Sequence, residues 1–154
     1  MVRMALVLLG ALLCLAGRGW AQDEGMVDWV RKGDFYLEQG RVQLALAEYE
    51  KALAAGAGSA PFLNRMAAMY MQTAQYPQAL TVLRASLREE PGQLTLYSRI
   101  GEAHLAMGQL DSAIASVDYA RALVPDNSAV HSALAFLLLQ SGQPDRAKAH
   151  LDTE

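Results

Sequence analysis

Small and hydrophobic residues recur along this chain with a period of 34 positions. Each unit has a glycine or alanine at one position and an alanine twelve positions later. The first set is Gly33, Ala67, Gly101 and Ala135, and the second is Ala45, Ala79, Ala113 and Ala147. A fixed period of this length is typical of repeat proteins, in which each unit packs on its neighbours. The pattern therefore predicts three full stacked units, residues 26–59, 60–93 and 94–127, and a truncated fourth, residues 128–154.

Each unit is predicted to contain two helices joined by a tight turn. Apolar residues within the predicted helices follow the 3.6-residue helical period, as in Leu80, Leu83 and Leu87. The first helix should end at a position that is glycine in three of the four units, because glycine takes the left-handed conformation without a side-chain penalty. This position holds Gly40, Ala74, Gly108 and Gly142. Prolines at Pro91 and Pro125 should terminate the second helices of the middle units.

The second helices are predicted to begin near four positions that suit a first helical turn, where proline fits and aspartate complements the helix dipole. These positions are Val42, Pro77, Asp111 and Asp145. No stretch alternates polar and apolar residues with period two for long enough to indicate a strand. The fold class predicted is all-α, built from stacked antiparallel helix hairpins.

The motif positions of the repeat resemble those of the tetratricopeptide repeat family. In the first unit the family's Trp, Gly, Tyr, Ala and Phe positions hold Trp29, Gly33, Tyr36, Ala45 and Tyr49. In the third unit, Tyr97, Gly101, Ala113 and Pro125 fit, whereas His104 and Val117 replace aromatic residues. The resemblance implies a right-handed superhelix whose concave surface, lined mainly by first helices, holds a peptide or partner segment.

The resemblance also implies which side chains would line that groove. They are Asp34, Leu37, Asn64, Arg65, Met71, Arg99, Glu102, Leu105, Phe136 and Leu139. Arg65 and Arg99 occupy the same position one repeat apart and could hold a carboxylate-bearing segment. The alternative is that both arginines are solvated, with Glu102 as a neighbouring partner. One subgroup of the family clamps a C-terminal carboxylate, but only Arg99 matches its pattern fully, so such a clamp is not predicted.

Residues 1–21 are predicted to be a cleaved export signal. Arg3 precedes an apolar or small run of 13 residues, Ala5–Gly17, which is shorter than the roughly 18 residues that span a bilayer. Small residues at Gly19 and Ala21 suit cleavage after Ala21. Residues 22–25 form a short lead-in and residues 26–154 the repeat domain, which is expected to be periplasmic or secreted, in a bacterium.

Two alternatives to cleavage concern the same segment. An uncleaved signal would act as a membrane anchor, although Arg18 interrupts the apolar run. A lipid attached to Cys14 would require a small preceding residue, and Leu13 stands there. With the signal removed, the chain contains no cysteine, which suits an oxidising compartment.

Charge and motif content argue against several function classes. Without residues 1–21 the chain has 11 basic and 16 acidic side chains, so no basic surface for nucleic acid is expected. His104, His131 and His150 lack the spacing of metal ligands. No catalytic or phosphate-binding motif occurs. We therefore predict no enzyme activity, no metal and no cofactor.

The sequence predicts a non-catalytic adaptor of the cell envelope that holds a segment of another protein. The alternative is a self-associating scaffold or membrane-tethered assembly factor that uses the apolar fourth repeat, where residues 133–139 are almost entirely apolar. The polar segment 145–152 could cover the end of the stack, or it could be too short and leave an apolar patch exposed.

Overall fold

The computed structural model describes residues 25–151, and this part of the chain is helical without any strand. The helices are α1 (25–38), α2 (Val42–Ala54), α3 (Ala60–Gln72), α4 (Tyr76–Glu89), α5 (Leu94–Ala106), α6 (Leu110–Leu123), α7 (Ser128–Gln140) and α8 (Pro144–Leu151). The all-α fold class is confirmed. The predicted signal, residues 1–21, lies outside the described residues. Among the helices of this range, none has both the length and the apolar character to cross a bilayer.

The helix boundaries follow the 34-residue period. Helices α3, α5 and α7 begin at residues 60, 94 and 128, the predicted starts of the second, third and fourth repeats. The second helices of these repeats begin at residues 76, 110 and 144, each one residue before the position predicted. Residue 25, assigned to the lead-in, is already part of α1.

The chain divides into two compact units, with the boundary between residues 58 and 59 of the sequence. In the first unit, the described residues form the hairpin of α1 and α2. In the second unit, α3 pairs with α4, α5 with α6, and α7 with α8, and each hairpin packs on the next through α4 with α5 and α6 with α7. The second unit therefore contains three of the four predicted repeats.

The turn inside each hairpin uses the left-handed backbone predicted from the sequence. The φ angles are 70° at Gly40, 57° at Ala74, 72° at Gly108 and 71° at Gly142. After α3, the amide of Gln75 donates to the carbonyl of Tyr70 at 2.8 Å, and that of Ala74 donates to Met71 at 3.1 Å. These two bonds form a Schellman motif, which satisfies carbonyls at the end of the helix.

Ala74 is the one described residue other than glycine with a positive φ. Replacing Ala74 with glycine removes the steric cost of the left-handed conformation, so we expect a stabilisation of about 1 kcal/mol. The same change at the exposed Ala68, inside α3, should destabilise by about 1 kcal/mol because glycine is a poor helix former. Urea unfolding of both variants checks the prediction, and a shift of the same sign in both would contradict it.

The small residues that recur in each repeat allow the two helices of a hairpin to approach closely. A Cβ atom added to Gly101 would lie 2.9 Å from Cγ2 of Val117 and 3.3 Å from the carbonyl oxygen of Ala113. Ala113 itself is fully buried. Helices α5 and α6 are therefore too close at this point to admit a side chain at position 101 without a shift.

The core between the third and fourth repeats explains most of the apolar run at residues 133–139. Leu134 and Leu137 pack with Val117 and Val130 in one buried cluster. Leu138 joins a second cluster with two alanines of α7 and α8. Only Phe136 and Leu139 remain about half exposed, at 54% and 53%. The run is therefore mainly interior packing rather than an exposed patch.

Two repeat positions that are apolar in the inner repeats hold a lysine in the first or the last repeat. The position of α1 held by Lys32 corresponds to Met66, Ile100 and Leu134, which are buried. In α8, the position that is apolar at Leu80 and Ile114 is the exposed Lys148. Terminal repeats of a stack need such polar outer faces, which favours the capping role for the segment after Asp145.

Candidate partner-binding groove

A cavity of about 190 Å³ lies between the first helices of the third and fourth repeats. We call it the α5–α7 pocket. Its lining consists of Ser98, Glu102, Leu105, Val117, Ala133, Phe136 and Leu137. Most of these side chains are apolar, and Glu102 is the one charged group among them. Three residues of the predicted groove, Glu102, Leu105 and Phe136, are therefore brought together here.

Small side chains at two repeat positions create the space. Ser98 and Ala133 line the pocket, and one repeat earlier the same two positions hold Asn64 and Arg99. Serine and alanine leave room beside the buried Val117 and Leu137 that longer side chains would fill. The pocket is thus a local feature of the last two repeats.

Exposed apolar side chains extend the pocket along α7. Phe136 lines it, and Leu139, one helical turn later, is similarly exposed. Large apolar side chains left half exposed near a cavity are a common feature of binding sites. Leu139 was predicted as a groove residue and is available for contact, although it does not line the cavity itself.

The charged groove residues Arg99 and Glu102 are exposed on α5. Within residues 25–151, neither forms an ion pair, whereas Lys51 pairs with Glu48 and Arg121 with Asp118. Glu102 is therefore not an ion-pair partner of Arg99 in this structure, although Arg99 is exposed to solvent, as the alternative to a binding role expects. Arg65 is also exposed, on α3, and it interacts with another residue of the protein.

Two predicted groove residues form hydrogen bonds inside the fold. The hydroxyl of Tyr49 donates to the carboxylate of Asp34, joining α2 to α1. Asn64 donates through Nδ2 to Oε1 of Gln93 at 2.6 Å, and Gln93 donates to Oγ of the buried Ser86 at 3.1 Å. These contacts give Asp34 and Asn64 structural roles. Leu37 and Met71 are partly buried and contribute less surface than Phe136 or Leu139.

A second exposed apolar surface was not singled out from the sequence. The rings of Tyr97 and Tyr119 lie 5.2 Å apart, and Tyr119 and Leu123 are about half exposed on α6. Burial raises the pKa of Tyr97, and the neighbouring Tyr119 raises it further. No repeat period could reveal this pair, because the equivalents of Tyr119 are Lys51 and Ala85.

His104 takes part in packing rather than in a cluster of ligands. It is buried, and its Nδ1 lies 2.7 Å from Oε1 of Gln109 in the turn that follows α5. This agrees with its interpretation as a replacement for a packing tyrosine. Among the described residues, no group of three or more His, Cys, Asp or Glu side chains is placed to hold a metal ion.

This chain is similar in sequence to known proteins and similar in fold to solved structures. The Hsp70-Hsp90 organizing protein of Triticum aestivum is 31% identical over 116 residues, which are 75% of this chain and 20% of that protein. The CTR9 homolog of Arabidopsis thaliana is 28% identical over 114 residues, covering 73% of this chain and 10% of that protein. The chain thus spans a fifth or less of these relatives.

Solved structures of MamA share the fold. One has a TM-score of 0.71 and 16% identity, covering 85% of this chain and 72% of that one. MamA from Desulfovibrio magneticus RS-1 gives 0.69 and 24%, covering 82% and 72%. The family model for the tetratricopeptide repeat matches residues 36–100 and 104–153. The chain is therefore a member of the tetratricopeptide repeat family.

Proposed function

We propose that this protein is a non-catalytic adaptor of the cell envelope that holds a segment of a partner protein against α5 and α7. Tetratricopeptide repeat proteins mediate protein–protein interaction, which sets the functional class. The observation that carries the proposal is the α5–α7 pocket, an apolar cavity with the half-exposed Phe136 and Leu139 beside it. Such a concave apolar site with few polar groups suits recognition of a protein segment.

The relatives support an adaptor role at the level of class. The wheat relative is named for organising two other proteins, Hsp70 and Hsp90. In this chain, the carboxylate-clamp pattern is matched fully only by Arg99, so the proposed partner is a different kind of segment. Its chemistry is set by the residues of the pocket.

The cell-envelope part of the proposal rests on residues 1–21. If the signal is exported and cleaved, the mature protein in its native host begins at Gln22, because small residues precede the cut at Gly19 and Ala21. Mass spectrometry of the purified protein determines this end directly. A mature chain that begins at Met1 would contradict cleavage and favour the membrane-tethered alternative.

Photo-cross-linking tests the proposed groove. A photoreactive phenylalanine analogue placed at Phe136 should form adducts with a partner protein in native cells. Tyr119 on α6 is the matched control position, since it is an aromatic residue with 56% exposure against 54% for Phe136. We expect adducts at position 136 in clear excess over position 119.

Two other outcomes would change the proposed function. Equal adduct formation at both positions would remove the groove as the preferred binding surface. An adduct at position 136 with twice the mass of the chain would favour the self-associating scaffold instead. Light scattering over a range of protein concentrations would then show whether the chain forms dimers in solution.

A further inference from the structure

We infer that the α5–α7 pocket takes one large apolar side chain of the partner segment and that a lysine or arginine beside it pairs with Glu102. This inference rests on the proposed function and specifies the chemistry of the partner. It follows from the size of the cavity, the composition of its lining and the state of the Glu102 carboxylate.

The cavity has the size of one side chain. An apolar cavity of roughly 150 Å³ is large enough to bind benzene, and the pocket measures about 190 Å³. A leucine, methionine or phenylalanine side chain can therefore enter it. Leu105, Val117 and Leu137 supply the apolar contacts, and burying an apolar side chain against them stabilises the complex.

Glu102 adds a charge requirement to this apolar site. Its side chain is part of the pocket lining and has no ion-pair partner within residues 25–151. A segment lying over the pocket would remove water from the carboxylate, which is costly unless the segment provides a hydrogen-bonding cation. A segment with a lysine or arginine beside its apolar anchor meets this requirement.

The surrounding helices do not supply that cation. The facing helix α7 contains no Asp, Glu, Lys or Arg, and its single titratable side chain, His131, lies beside the carbonyl oxygen of Pro125. Helix α6 contributes only Val117 to the lining. Arg99 precedes Glu102 by one helical turn, but it neither pairs with it nor lines the pocket.

This preference for a basic residue in the partner differs from the expectation from the sequence, in which Arg65 and Arg99 hold a carboxylate-bearing segment. Those arginines lie outside the pocket, whereas Glu102 lines it directly. A charged group at the edge of an apolar contact acts mainly on specificity, because it disfavours like charges on the partner. The pocket should therefore discriminate against segments with acidic residues next to the apolar anchor.

Selection from a phage-displayed library of random peptides tests this inference on the full-length protein. The wild type should enrich peptides with Leu, Met or Phe next to Lys or Arg. With Glu102→Lys, the enriched flanking residues should change to Asp or Glu. Glu89→Lys, the same charge change at an exposed position of α4, is the control and should keep the wild-type preference.

Two further variants separate the apolar and charged contributions. Glu102→Gln should weaken the best wild-type peptide roughly tenfold or more, as expected for loss of a charge-assisted hydrogen bond. Ala133→Leu adds volume inside the cavity and should reduce binding of every apolar-anchored peptide. Circular dichroism confirms that each variant is folded, and Glu102→Gln, at an exposed position, provides the test if Ala133→Leu is not.

The outcomes distinguish failure of the inference from failure of the proposed function. If the wild type enriches no peptide, both the adaptor function and the pocket assignment are contradicted. Enrichment that is identical in wild type, Glu102→Lys and Ala133→Leu would place binding on another surface. That result would overturn the inference and the α5–α7 placement, but it would leave the adaptor role intact. Peptides that depend on Ala133 but show no basic preference would also overturn it.

Discussion

Replacing Gly33 with alanine is expected to lower the free energy of unfolding by about 3 kcal/mol, near the upper end of typical overpacking costs. A Cβ atom at this position would lie 2.5, 2.6 and 3.0 Å from three ring atoms of Tyr49. The Tyr49 ring is fully buried, and its hydroxyl is bonded to Asp34. Since the ring is rigid and held at its far end, the helices must move apart to admit the new methyl group.

The second repeat provides the matched rescue for this variant. The positions of Gly33 and Tyr49 correspond there to Ala67 and Leu83, both fully buried. In a Tyr49→Leu background, Gly33→Ala recreates that pair and should cost nothing, because alanine also favours the helix by about 1 kcal/mol.

Urea unfolding of the four proteins in this cycle measures the coupling between the two positions. Circular dichroism follows the whole chain, and tryptophan fluorescence includes Trp29, which reports on α1. We expect a coupling of about 3 kcal/mol. An equal cost of Gly33→Ala in both backgrounds would show that the Tyr49 ring is not the obstacle.

Leu134→Ala should destabilise the protein by about 3 kcal/mol, whereas Leu139→Ala should cost less than about 0.5 kcal/mol. Both leucines lie on α7, but Leu134 is 1% exposed and packs in the cluster between the third and fourth repeats. Leu139 is 53% exposed. Truncation of Leu134 leaves a cavity lined by Val117 and Leu137, while truncation of Leu139 leaves none.

Thermal or urea unfolding of these two variants tests whether the apolar run is a core or a patch. A large decrease in the free energy of unfolding for Leu134→Ala, with little change for Leu139→Ala, supports the packing of Leu134 in the core. Similar small decreases for both variants would indicate that α7 is loosely packed. A variant that changes the oligomeric state without changing the free energy of unfolding would favour the self-associating scaffold.

The fold could be predicted from the sequence because the repeat constrains it several times over. The ends of a single amphipathic helix are difficult to predict from its own sequence. Here the same turn position occurs four times, and the four copies together indicate where the helices end. Ala74 shows the strength of this signal: it adopts a φ of 57° even though alanine is a poor choice there. The neighbouring repeats, with glycine at that position, predict the conformation that Ala74 takes.

The site was harder to predict because repeat position indicates a helix face and not a side chain's partner. Asp34 and Asn64 lie at groove positions but are bonded to Tyr49 and Gln93, the latter 29 residues away along the chain. The α5–α7 pocket exists because the side chains of Ser98 and Ala133 are both small. Only the packed structure shows that these two small residues share one cavity.

Hydrogen exchange of the full chain, alone and with the partner captured through position 136, tests the central proposal most directly. We predict slower exchange in α5 and α7, concentrated in residues 98–105 and 133–139, which flank the pocket. Exchange around Tyr119 and Leu123 on α6 should change little. Protection confined to α6 or to α1, with none in α5 and α7, would contradict the assignment of the groove.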